Sequence, residues 1–245
     1  MRFAVLQHAE FEHAGILRDF MRADGIEFDV AALDEGDNVP ALGPYDALIV
    51  LGGPMGPLDY NNHPWLPDET ALIREAVIER ALPTLGICLG HQLLAQALGG
   101  RLAPLENTEV GVVDVFLNEA GMRDPLFAGW QRTAPGLQWH EWQVKDLPPG
   151  AVLLASSAAC ANQAMRAAPR AWGVQFHIEA YDGIVGEWLA SPGNEEELQR
   201  LIGPDARAAF ASQATQNMAR LNRDARRLFD NFTALARLLA EALET

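Results

Sequence analysis

The stretch LPTLGICLGHQLLAQALGG, residues 82–100, sets a short apolar run directly against an amphipathic helical pattern, with a cysteine at the junction. TLGIC reads as a buried strand. Beyond it, Leu93, Leu94, Ala97 and Leu98 fall on one helical face, and Gly99 and Gly100 supply a stop. Cys88 is thereby placed at a strand-to-helix turn. Such an elbow strains the residue at its apex and needs small neighbours so that the backbone can fold back, which Gly86 and Gly90 provide. A thiolate there would face the unpaired N–H groups and the positive end of the helix, a setting that favours the anion. A buried cysteine on its own is more often an inert small hydrophobe, so reading Cys88 as a nucleophile needs support elsewhere in the chain.

The surrounding pattern is that of an α/β protein. Residues 3–8 (FAVLQH), 28–33 (FDVAAL), 46–52 (DALIVLG) and 84–88 are apolar runs bounded by turn residues, as expected of strands buried on both faces. Helical spacing of Ile16, Leu17, Phe20 and Met21 separates the first two, and residues 67–82 form a helical pattern before the last, with acidic residues in its first turn. Alternation of this kind predicts right-handed crossovers and a parallel sheet, with ligands at the carboxyl ends of its strands. From 110 to 157 strand-like pieces (VGVVDVFL, LQWHEWQVKDL, AVLLASS) follow one another without helices, which predicts an antiparallel excursion. AWGVQFHIEA, 171–180, reads as a return to the main sheet.

Two further pieces point toward the elbow. In GVQFHIE, strand alternation puts His177 and Glu179 on one face and Ile178 on the other. An imidazole needs one nitrogen toward the thiol and the other held by an acceptor that fixes its tautomer, and Glu179 is placed to be that acceptor. In LGGPMG, 51–56, a buried strand ends in Gly52, Gly53 and Pro54, where exposed N–H groups could face the same sheet edge. The N–H groups of Gly53 and Leu89 are then candidates for holding an oxyanion.

Together these pieces resemble the class I glutamine amidotransferase family. G-x-C-x-G-x-Q matches at Gly86, Cys88, Gly90 and Gln92, Gly-Gly-Pro at Gly52 to Pro54, and G-V-Q-F-H-x-E at Gly173 to Glu179, with weaker agreement at Glu109, Gly111 and His140. Free-standing proteins related to the glutaminase domain of GMP synthase are the nearest form. The resemblance implies a flavodoxin-like fold, with a mostly parallel central sheet covered by helices on both faces, over residues 1–180. It implies a Cys88, His177, Glu179 triad that cleaves the γ-amide of glutamine or a γ-glutamyl compound through a thioester. Gln92, Gly52 and His140 become substrate-binding candidates, and no cofactor or metal is implied. Two features depart from the family pattern: Ile178 stands where relatives carry proline, and His91 where many carry a small or apolar residue. Nothing resembles an acceptor domain, so a separate synthetase subunit is one expected partner, and an independent γ-glutamyl peptide or amine hydrolase the alternative. A non-catalytic binding protein is the third reading, disfavoured by the intact triad.

Residues 181–245 read as a helical extension, with Ala214, Met218, Leu221, Ala225, Leu228, Phe232, Leu235 and Leu239 forming a narrow apolar seam. A helix over 205–243 would be about 58 Å long, so it is expected to break and pack on its own domain, or to project and pair, as in a homodimer. Composition narrows the function classes. A formal net charge of -15, from 18 basic and 33 acidic residues, disfavours nucleic-acid binding. Lys145 is the only lysine and follows no phosphate-binding glycine loop. The six histidines include no H-E-x-x-H pattern. Two cysteines make no disulfide framework, no apolar run is long enough for a membrane span, and nothing at the amino end reads as a signal segment. The expected location is a reducing cytoplasm.

Overall fold

The computed structural model describes the backbone of residues 1–243 and the side chains of residues 1–238. Its first half is built from β1 (Arg2–Gln7), α1 (Gly15–Ala23), β2 (Glu27–Ala32), β3 (Ala47–Val50), α2 (Leu66–Arg74), β4 (Thr84–Ile87) and α3 (Leu89–Ala97). The helix expected over 67–82 ends as α2 and passes into a single π turn, Glu75–Glu79. Then come β5 (Arg101–Leu117), β6 (Thr133–Asp146), β7 (Val152–Ser156), β8 (Ala164–Ala168), β9 (Ala171–Val174), α4 (Ile184–Ala190), α5 (Asn194–Ile202) and α6 (Ala206–Leu243). Among the described residues all strands join one sheet, in the order β2-β1-β3-β4-β9-β8-β7-β5-β6. The run from β2 to β9 is parallel, and β8, β7, β5 and β6 continue it antiparallel.

Period-two alternation divides the strand side chains between two cores. Phe3, Val5, Ala47, Ile49, Leu85 and Ile87 face one side, where Leu17 and Met21 of α1 meet Leu228, Phe229 and Phe232 of α6. Ala4, Leu6, Leu48 and Val50 face the other, against Leu66 and Ile73 of α2 and Leu93 and Leu94 of α3. Burial on both faces is why these strands are continuously apolar in sequence. It also puts the carboxyl ends of β1, β3, β4 and β9 side by side at one rim.

The long helix does not break, and it packs on its own domain from Ala206 to Ala236. At 1.5 Å per residue the 38 residues of α6 extend about 57 Å, longer than the sheet is wide, since nine strands spaced roughly 4.8 Å apart span about 40 Å. Its amino-terminal half (Ala206, Phe210, Ala214, Met218, Leu221) packs with α4 and Trp139 of β6. Its carboxyl-terminal half stacks Phe229 and Phe232 edge-on to Phe3, at 6.4 and 6.1 Å between centroids. The seam from Ala214 to Phe232 is therefore covered by the chain itself, Leu235 is partly buried there, and Leu239 lies outside the described side chains. No helix of the described residues is long and apolar enough to cross a membrane.

Two local expectations are corrected. The strand expected over 171–180 stops at Val174, so His177 and Glu179 lie beyond its end. His177 is instead pinned by a single antiparallel bridge, its N–H donating to Leu137 O of β6 at 2.9 Å. β8, an alanine-rich strand with little β-branched character, was not expected, and it completes the antiparallel excursion.

Candidate active site

Cys88 occupies the turn between β4 and α3 with φ 52° and ψ -106°, in the left-handed half of backbone space that a side chain rarely enters. Three backbone bonds hold it there: Cys88 N–H to Val174 O at 2.9 Å, Gly90 N–H to Leu51 O at 3.1 Å, and Gln92 N–H to Cys88 O at 3.2 Å. The flanking glycines are required by close approach. A Cβ on Gly86 would lie 2.3 Å from Gly90 O, and one on Gly90 would lie 2.1 Å from Val50 O.

Across the rim, His177 Nδ1 lies 2.5 Å from Glu179 Oε1, with both side chains buried. Burial alone would lower the proton affinity of this ring, but the carboxylate of Glu179 and the neighbouring Cys88 thiol outweigh it and hold His177 well above the usual imidazole range. Trp188 of α4 stands edge-on to the imidazole at 4.7 Å. Ile178 points the other way, into the core beneath the sheet, as strand-like alternation predicts.

A third acid, absent from the expectations drawn from sequence, joins the pair. Glu12, in the loop after β1, places Oε2 3.9 Å from His177 Nδ1, and this atom is buried without a hydrogen-bond partner. Burial pushes its carboxyl up to about 7, His177 opposes the rise, and Glu179 adds to it. Gly52 packs against both groups, since a Cβ there would lie 2.6 Å from Glu12 Oε2 and 3.0 Å from His177 Cε1. Glu12, His177 and Glu179 bring their donor atoms within 4.8 Å of one another, the spacing of a metal site. The 2.5 Å contact between Nδ1 and Glu179, however, is the length of a charge-assisted hydrogen bond. It leaves no room for an ion between these two atoms, and the set fits a proton.

One cavity gathers Cys88, Leu89, Gly53, Glu12 and Gln92 with Phe11, Trp139, His140, Glu141, Trp142, Trp188 and Glu197. The expected oxyanion donors, Gly53 and Leu89, thus share the cavity with the thiol, and Leu89 opens α3, where N–H groups lack helical partners. Gln92 commits its amide nitrogen to Trp142 O at 2.9 Å and Gln175 Oε1 at 3.0 Å. The carbonyl of Gly52 is occupied by His8. His140 lines the cavity, but both its nitrogens are engaged, Nε2 with Glu109 at 2.9 Å and Nδ1 with Trp142 O at 2.8 Å. His91 is buried outside this lining, against Gly173 of β9, and burial lowers it to about 4, so it is neutral at physiological pH. Cys160 is buried away from the cavity, and burial raises its thiol to about 11.

Glu12 and Trp188 carry sequence signals too weak to single out. Glu12 falls in a polar loop whose one clue is its place after a buried strand. Trp188 belongs to a helix that sequence separates from the site.

The sequence profile of the glutamine amidotransferase class-I family matches residues 13–189. The glutamine amidotransferase-like protein YfeJ of Salmonella typhimurium is 28% identical over 95% of this chain and 98% of its own length. One component of the glutamine-hydrolysing GMP synthase of Thermococcus kodakarensis is 35% identical over 58% of this chain and 70% of its own length. Among solved structures, a glutamine amidotransferase from Thermotoga maritima superposes with a TM-score of 0.84 at 27% identity, covering 95% of this chain and 97% of that one. One from Methylobacillus flagellatus gives 0.84 at 30%, covering 96% and 94%.

Proposed function

Because the chain belongs to the class I glutamine amidotransferase family of enzymes, we propose that it hydrolyses the γ-amide of glutamine, or of a γ-glutamyl compound, through a thioester on Cys88. Cys88 Sγ attacks the amide carbon while His177 accepts the thiol proton, and the oxygen that becomes anionic is held by the N–H groups of Gly53 and Leu89. His177 then passes the proton to the departing ammonia or amine as the C–N bond breaks. It next takes a proton from water, whose oxygen attacks the thioester, and glutamate leaves as the thiol is restored. Glu179 fixes the tautomer of His177 and stabilises its charged form. Gln92 and His140 hold the Trp142 wall, and the carboxylates of Glu12, Glu141 and Glu197 suit the ammonium group of an amino-acid substrate.

The observation that carries this reading is the strained Cys88 opening on the cavity, with a buried imidazole beside it that is paired at 2.5 Å with a buried carboxylate. Incubation with glutamine and a panel of γ-glutamyl amides, read by mass spectrometry, tests it. Glutamate appears with the wild type and not with Cys88→Ala, and full activity in that variant would refute the assignment. A second arm decides whether a partner is needed. The similarity to a component of a GMP synthase favours a protein that wakes on addition of its synthetase, whereas the end-to-end match to YfeJ favours a hydrolase active alone.

A further inference from the structure

We propose that His8, clamped by Glu69, is a positioning residue that aims the Gly53 N–H into the active-site cavity by gripping the carbonyl of Gly52. The proposal rests on the reading of Gly53 as an oxyanion donor.

His8 follows β1 and Gly52 follows β3, two adjacent parallel strands whose carboxyl ends meet at the rim. His8 Nδ1 lies 2.8 Å from Gly52 O, and Nε2 lies 2.7 Å from Glu69 Oε1 of α2. Neither side chain has solvent exposure. The Gly52 carbonyl can only accept, so Nδ1 donates to it, and with Glu69 ionised Nε2 donates as well and the ring is an imidazolium. Burial opposes that charge, but Glu69, the Gly52 carbonyl and the more distant Glu12 together raise the proton affinity of His8. A buried ion pair can commonly be replaced by packed hydrophobic residues at no loss of stability. What distinguishes this pair is the peptide at its end.

In a trans peptide the C=O and the following N–H point in opposite directions across one rigid plane. Holding Gly52 O on the His8 side therefore turns Gly53 N–H away from it, toward the cavity that Gly53 lines. Glycine at both positions removes the side chains that would otherwise limit rotation of this peptide. Without a grip on Gly52 O, it is free to turn over and withdraw the donor. Gly53 also has no room for a Cβ, which would meet Leu89 Cδ2 at 2.8 Å and His8 Cβ at 2.9 Å. His8 and the residue after the elbow cysteine thus pack on the same peptide.

Two variants separate the two ends of the ring. His8→Asn keeps a donor near the Nδ1 position for Gly52 but loses Glu69. His8→Gln keeps one near Nε2 for Glu69 but loses Gly52. Turnover of L-glutamine and L-γ-glutamyl-p-nitroanilide is compared with the rate of Cys88 alkylation by iodoacetamide, a displacement that forms no oxyanion. The expected result is a kcat reduced about 10²–10³-fold in His8→Gln, with KM and alkylation within a few fold of wild type and most of kcat retained in His8→Asn. Equal kcat in the two variants, or turnover and alkylation falling together, would overturn the proposal. A crystal structure of His8→Gln gives a readout independent of activity: the 52–53 peptide should be rotated, and an unchanged peptide overturns the inference. An active Cys88→Ala enzyme would instead strike at the site reading beneath it.

Discussion

Glu12→Gln should make the protein more stable above neutrality and less active there. Glu12 is held at about 7, chiefly by burial, against an ordinary value of 4.5. Between those two values the folded protein binds a proton that the unfolded chain has released. Stability therefore falls as pH rises through this window and has lost the full amount above it. At about 1.4 kcal/mol per pH unit, raising this carboxyl from 4.5 to about 7 amounts to about 3 kcal/mol. A glutamine of the same shape carries no charge and escapes the penalty. Urea denaturation of both proteins at pH 5 and pH 8 reads the effect: nearly equal stability at pH 5, and the variant ahead by about 3 kcal/mol at pH 8. A variant equally or less stable than wild type at pH 8, or the same difference at both pH values, would refute the reasoning. The kinetic counterpart follows from the 3.9 Å approach to His177 Nδ1. Ionised Glu12 favours the imidazolium that pairs with the thiolate, so kcat/KM of the wild type should rise through about pH 7, and the variant should lack that rise.

Gly90→Ala drives a Cβ to within 2.1 Å of Val50 O. It should abolish glutamate release and destabilise the fold by about 3 kcal/mol in denaturant titration. Glu179→Gln leaves the His177 ring without its charged partner, and kcat should fall on the order of 10⁴-fold with the fold intact by circular dichroism. Phe232→Ala removes a fully buried ring packed on Phe3 and Trp172. It should cost about 3–5 kcal/mol of stability, while kcat measured well below the melting temperature stays near wild type.

The parallel half of the sheet was legible because its strands are buried on both faces and so carry apolar runs that need no partner to be recognised. The antiparallel half was legible only in outline. β5 and β6 extend beyond the pieces that alternation marks, and β8 is alanine-rich and holds its place through pairing with β7 and β9. The overlong strand at 171–180 has a physical cause: its alternation continues past Val174 while the chain leaves the sheet, because His177 and Glu179 are fixed by contacts to β6 and to each other. Cys88, His177 and Glu179 were singled out because each lies beside a strand end and because the motifs around them together resemble one family. His8, Glu12 and Glu69 could not. Their roles depend on β1 lying next to β3 and on α2 covering both, relations that strand order creates and local pattern does not encode. His140, a substrate-binding candidate from the resemblance, lines the cavity, yet its ring is committed to Glu109 and Trp142, a buried network that residue type alone does not reveal.

The placement of α6 gives the chain a built-in sequence of events during synthesis. Residues that finish the core over β1 emerge from the ribosome long after the elbow cysteine, and Trp188, which shields the imidazole, precedes them by far less chain. A partly translated protein thus carries its thiol beside a sheet face that α1 covers but α6 does not. The cavity acquires its last walls only shortly before the rest of the molecule becomes able to support them.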